Sequence, residues 1–306
     1  MSATIGTRVE HASGAETLER ARARAALIPD LLTESRHISN TAINGWHGRR
    51  KRGVGENFWQ FRPYVDGETL ARIDWRRSAR DEHIYVQDKE WEAAHTLWIW
   101  ADNSPSMLYK SELADVSKQS RAMVLALALC DILARSGERI GWPGVSKPST
   151  HRNAAENIAA ELIHASLDVG FPPTEHVKKY SELIMISDFL DPIDELIKNI
   201  NAIAQRGIRG HIVQIIDPAE ESFPYAGRTE FLDPETGSTF VAGRAEQLAG
   251  DYTKLFSARK QTLTNHLTRL GWSHIIHHTD NPASSALVAL HSRLSNEQAY
   301  NSGASQ

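Results

Sequence analysis

Cysteine is nearly absent: Cys130 is the only one among 306 residues. No internal disulfide can form, which excludes the small secreted scaffolds built on such bridges. Cys130 lies within the apolar stretch 123–130, which predicts a buried small hydrophobe in a reducing, cytoplasmic setting. Long hydrophobic runs are missing too. The longest, 123–133, is cut by Asp131 and falls short of the roughly 18 to 20 residues of a membrane span, so no span is expected. The N-terminus, with Glu10, Glu16 and Glu19 among polar residues, lacks the order of a signal peptide. Charge of one sign is also lacking: the formal net charge is −4, so nothing draws the whole chain to nucleic acid, which is not expected as a partner. There is no Gly-rich phosphate loop ending in Lys and Ser or Thr, no dinucleotide-binding glycine pattern and no Gly-x-Ser-x-Gly elbow, so no motif argues for an enzyme.

What is present is a regular alternation. Ser13 with Glu16 reads as a capping box opening a helix through Ala26, with Pro29 breaking it. Residues 47–52, then Gly53 and Gly55, read as a basic loop. Phe58 to Tyr64 and the pair Ile84 and Val86 suggest short strands, joined through Gly67 and the segment 72–80. These make residues 1–92 a small arm of helix and β structure. The arginines of 72–80 are expected to pair with Asp66, Glu68 and Asp74, and Trp75 to be buried against the main sheet.

Residues 93–297 alternate strand and helix: Leu97 to Ala101, a deeply buried helix Val116 to Ser136, a strand Leu183 to Ile186, a helix capped by Asp191 before Pro192 and ended by Gly207, a strand Ile212 to Ile216, and a strand Ser273 to His277. Such order predicts an α/β fold with a mostly parallel sheet covered by helices on both faces. Residues 218–250 read as a surface excursion with a hairpin, and 298–306 as a disordered tail.

Asp102, Asp188, Asp217 and Asp280 each follow an apolar strand, where ligands bind in open α/β sheets and where helix caps also occur. Asp102-Asn103-Ser104-Pro105-Ser106 sets a carboxylate and two hydroxyls at alternate positions of a turn, hard oxygen donors suited to Mg²⁺. Asp188 is the natural second carboxylate. A hydroxyl of Ser149 or Thr150 is a third contribution, although both also suit an N-cap. Among the histidines, His274 and His278 share a strand face opposite His277, which does not make a zinc site.

In chain order, His47-Gly48, Gly53-Val54-Gly55-Glu56, Arg62-Pro63-Tyr64, Gly67-Glu68, Arg72-Ile73-Asp74-Trp75, Ser78-Ala79-Arg80 and Asp102 through Met107 resemble the bacterial family known as domain of unknown function fifty-eight. The resemblance spans roughly His47 to Leu290. It implies a Rossmann-like, von Willebrand factor A-like domain with a metal-ion-dependent adhesion site, carried onto Asp102, Ser104, Ser106 and Asp188, and association with a MoxR-type AAA+ ATPase in assembly or maturation of a protein complex. Gly67-Glu68 stands where the family usually has Gly-Asp, and the middle-loop threonine of adhesion-type domains has no clear match. The reading is a non-catalytic interaction module presenting Mg²⁺ or Mn²⁺ to a partner's carboxylate. The alternatives are a metal-dependent phosphoester hydrolase relying on Asp217 or Asp280, and a structural adaptor with a degenerate metal site that docks through residues 47–92.

Overall fold

The computed structural model describes residues 30–40, 42, 58–64, 73–80, 83–89, 96–165 and 170–303. The expected cap at Ser13 and Glu16, the helix to Ala26, the basic loop 47–52 and the turn at Gly67 lie outside the described residues. The chain divides into two compact units, 46–95 and the remainder. Helix α1, residues 30–40, thus belongs with the large unit and not with the arm in which the sequence placed it.

In the small unit β1 (Phe58–Pro63) pairs antiparallel with β2 (Tyr85–Lys89), and Ile73 bridges Val86. The short helix α2 (Trp75–Ser78) begins where the Asp74 carboxylate accepts the backbone N–H of Arg77 at 2.9 Å. That is N-cap chemistry, so this carboxylate serves the backbone. Trp75 is 62 % exposed, which corrects the expectation that it is buried. It is the first residue of a four-residue helix, none of whose residues is buried.

The large unit carries a six-stranded sheet in the order β10-β7-β6-β3-β4-β5. The strands β3 (Thr96–Ala101), β4 (Arg139–Trp142), β6 (Glu182–Ser187), β7 (Arg209–Ile216) and β10 (Ser273–His278) run parallel. Edge strand β5 (Ser146–Ser149) is antiparallel to β4. Continuous apolar runs at β3 and β6 are what a sheet covered on both faces requires, and both strands are buried almost throughout. Helices α3 (Lys118–Arg135), α4 (Ala154–His164) and α8 (Ala283–Gly303) form one layer; α5 (Ile193–Gln205) packs against α7 (Ala249–Arg269) in the other. This is a Rossmann-like α/β fold. Helix α8 continues to Gly303, past the boundary at 297 where the sequence suggested a tail.

α3 is buried on nearly every side because sheet, α4 and α8 all cover it. Its Asp131 interrupts the apolar run without standing alone: Arg135 pairs with it at 2.7 Å and Ser39 of α1 donates to it at 2.5 Å. Gly207 ends α5 with φ +73°, as its position predicted, but Pro192 occupies the N-cap and Asp191 does not cap. The hairpin of the excursion is β8 (Thr229–Leu232) with β9 (Thr239–Ala242), preceded by the short helix α6 (Pro218–Ser222).

Candidate functional site

From β3 the chain crosses to β4 on one side; from β6 it crosses to β7 on the other. The carboxyl ends of β3 and β6 therefore flank the point where strand order reverses, the place at which α/β sheets open a crevice. Asp102 follows β3 and Asp188 follows β6. The backbone N–H of Asp102 still donates to Ile186 O at 2.9 Å, which fixes the carboxylate at the sheet edge.

The Asp102 carboxylate is almost fully buried, 3 % exposed. One oxygen accepts the Ser104 N–H at 2.8 Å and the other accepts the Ser187 hydroxyl at 2.7 Å. Its pKa is pushed up to about 7, first by burial and then by the charge of Asp188; the hydrogen bonds from Ser187 and Ser104 oppose the rise. The chain turns at Pro105–Leu108, and the Ser104 and Ser106 hydroxyls meet at 3.1 Å. The Ser106 N–H donates to the Glu235 carboxylate at 2.9 Å. Glu235 lies 129 residues along the chain, in the loop between β8 and β9.

Asp188 is engaged. Lys118, the first residue of α3 and 1 % exposed, donates from Nζ to Asp188 at 2.8 Å and to Glu220 at 2.5 Å. Burial opposes the ammonium charge, but Asp188 and Glu220 outweigh it and hold the lysine above its ordinary pKa. The other Asp188 oxygen accepts the Leu190 N–H at 3.2 Å, and its carbonyl accepts Gln214 at 3.0 Å. Asp217 caps α6 in a capping box with Glu220, and its second oxygen accepts the Ser111 N–H at 2.9 Å. These bonds tie the loops after β3, β6 and β7 together. Asp280 lies past the end of edge strand β10, where its charge acts on Arg121.

Thr150 does not join this group. Ser149 pairs with Ile140, and Ile140 with Leu97 at the amino end of β3. Thr150 thus sits at the opposite edge of the sheet from Asp102, a strand length of roughly 17 Å away at about 3.3 Å per residue. Nor do Ser149 and Thr150 cap α4, whose N-cap is Asn153. The antiparallel β5 is the reason: it returns the chain to the amino edge before α4 begins. Lys118 and Glu235 were not anticipated. A lysine at the first position of a helix, where the dipole disfavours a cation, was the available signal for the first; for Glu235 only a turn was legible.

Among the described residues no group of three His, Cys, Asp or Glu side chains converges as a metal-binding set. His274, half-buried, and His277, buried, are neutral imidazoles, each held down to about 4 chiefly by desolvation. A cation at the β3 edge would rest on one carboxylate and two hydroxyls, and these fit a hard divalent ion: Asp102 is a buried carboxyl whose ionisation is opposed by burial and by the charge of Asp188, which a cation would relieve, and both serine hydroxyls lie on its turn.

Chains of similar sequence include the uncharacterized proteins Mb1516 of Mycobacterium bovis and Rv1480 of Mycobacterium tuberculosis, each 22 % identical over 235 residues, covering 71 % of this chain and 73 % of theirs. Solved structures with likeness include the conserved hypothetical protein BatB from Bacteroides thetaiotaomicron, 16 % identical, TM-score 0.38, covering 66 % of this chain and 100 % of that one. An aerotolerance-related membrane protein from Bacteroides fragilis is 15 % identical, TM-score 0.37, with coverage of 66 % and 100 %. These structural likenesses are too distant to bear on function. Among the described residues no helix is long and apolar enough to cross a membrane. The family described as "Protein of unknown function DUF58" matches residues 60–262, two thirds of the sequence, and the chain belongs to it.

Proposed function

We propose that this protein is a non-catalytic, cytoplasmic interaction module in which Asp102, Ser104 and Ser106 hold Mg²⁺ or Mn²⁺ and the ion accepts a carboxylate from a protein partner. One observation carries the reading: a buried carboxylate shares a turn with two hydroxyls 3.1 Å apart, at the crevice of the sheet. The ion would offset the Asp102 charge and supply an open coordination position. The chain's own groups fix the turn and exclude water from beneath it. Lys118 engages Asp188, so Asp188 acts on the site through the loop it holds and through its charge beside Asp102. A non-catalytic role is supported by Asp217, whose two oxygens accept the backbone N–H groups of Ser111 and Ala219 and so serve the α6 cap. The resemblance to the domain of unknown function fifty-eight family makes a MoxR-type AAA+ ATPase the first partner to test.

Thermal melting of wild type and Asp102→Ala in EDTA, Mg²⁺ or Mn²⁺ tests the site. A ligand bound only by the folded state stabilises by about 2.7 kcal/mol at a hundredfold excess over Kd, a rise of several degrees for a domain of this size. The expected result is a metal-dependent rise in wild type that Asp102→Ala abolishes. Identical melting of wild type with and without metal overturns the reading.

A further inference from the structure

The hairpin that carries Glu235 is not a loose excursion. Phe231 of β8 stacks on Phe223 at 5.7 Å and meets Tyr225 edge-on at 5.3 Å, and Tyr252 of α7 lies 4.7 Å from Phe223. The Tyr225 hydroxyl bonds that of Tyr109, which stands in the loop after β3. The base of the hairpin is thereby fastened to the segment that holds the serines. Its tip is shaped as well: Asp233 accepts the Glu235 N–H at 2.9 Å and the Thr236 hydroxyl at 2.7 Å, and Gly237 turns the chain with φ +70°.

This shaped tip delivers a carboxylate into surroundings that are already acidic. Asp191 lies nearby, its carboxyl pushed up by burial first and then by the charge of Asp188; Arg259 opposes the rise, and the charge of Glu235 adds to it. Like charges repel, so a glutamate held here needs an attraction to offset them, and the Ser106 N–H supplies one. The group brought to the turn is the same chemical group that the proposed function expects from a partner.

We infer that Glu235 is an internal occupant of the Asp102 site: the hairpin tip lays on the turn, against Ser106, the carboxylate that a partner would otherwise bring, so that the free protein caps itself and a partner must displace the tip. The inference rests on the metal-site reading above. It makes the hairpin a built-in competitor, one that sets a threshold for partner binding without altering the ion's other ligands.

The test uses Mn²⁺ alone and acetate as the carboxylate probe, on full-length wild type, Glu235→Ala, Glu235→Gln and Asp102→Ala. Free Mn²⁺ is counted by electron paramagnetic resonance, and exchangeable water on the bound ion by water-proton relaxation. With Glu235 at the ion, Glu235→Ala and Glu235→Gln bind Mn²⁺ roughly tenfold more weakly and show higher relaxation per bound ion. Millimolar acetate lowers that relaxation in both variants and leaves wild type unchanged. Equal affinity and an equal acetate response in wild type and Glu235→Ala overturn the inference while leaving the metal site standing. Absence of Mn²⁺ binding in wild type and Glu235→Ala alike, or undiminished binding by Asp102→Ala, removes both.

Discussion

Asp102 shows how a single side chain is loaded by its surroundings. Two hydrogen bonds favour its charge, but burial and Asp188 outweigh them, and its pKa stands at about 7 where an aspartate ordinarily sits near 3.8. The consequence for stability has a definite sign. Below about pH 4 the carboxyl is protonated in folded and unfolded chains alike, and it contributes no pH dependence. As pH rises toward 7 the unfolded chain releases its proton first, so the folded state loses stability across that window and levels off above it. Asp102→Asn removes the titration. In EDTA the variant should therefore gain on wild type in melting temperature between pH 4 and 7, and saturating Mg²⁺ at pH 8 should restore wild type. Parallel curves for the two proteins would show that the charge is not buried. The carboxylate and the two serines were legible in the sequence because their spacing belongs to one turn. The pKa was not, because it depends on Asp188 and Ser187, residues 86 and 85 positions away in the chain.

At the level of elements, strands flanked by apolar runs were readable and short ones were not. β3, β6 and β7 each carry enough buried apolar residues to declare themselves, and β10 shows itself by the pair Ile275 and Ile276. β4 and β5 are each four residues long, and β5 reads Ser-Lys-Pro-Ser, with no apolar alternation at all. It is a strand only because β4 offers it a free edge. Missing it moved Thr150 to the wrong side of the sheet. The same dependence on neighbours governs Gly210 in β7, where a Cβ would lie 2.0 Å from the Trp272 ring. Glycine there admits the indole of Trp272, the residue just ahead of β10. Gly210→Ala should destabilise by about 1–3 kcal/mol through overpacking, measured by urea denaturation; an unchanged midpoint would show that Trp272 has room to move.

Across the whole molecule, Lys118 is the tie. It joins the start of α3 to Asp188 after β6 and to Glu220 of α6, so the crevice loops are held by one buried ammonium. Removing it takes from two largely buried carboxylates the ammonium that pairs with both. Lys118→Met should cost about 3–5 kcal/mol by chemical denaturation, with Asp188→Asn in the Lys118→Met background recovering part of the loss; a Lys118→Met variant as stable as wild type would mean that water reaches the crevice.

The sequence by itself determined the layered α/β fold, the strands long enough to show their burial, the turn bearing Asp102, Ser104 and Ser106, and the family. Each of these is local, written in periodicity or spacing over a few residues. The tertiary structure alone decided that Asp188 belongs to Lys118, that Asp217 serves as a cap, that Thr150 lies at the far edge, that Trp75 faces solvent, and that Glu235 reaches Ser106. The contacts of Lys118 and Glu235 join segments distant in the chain, and they and the place of Thr150 are set by strand order and packing geometry, which no run of neighbouring residues encodes.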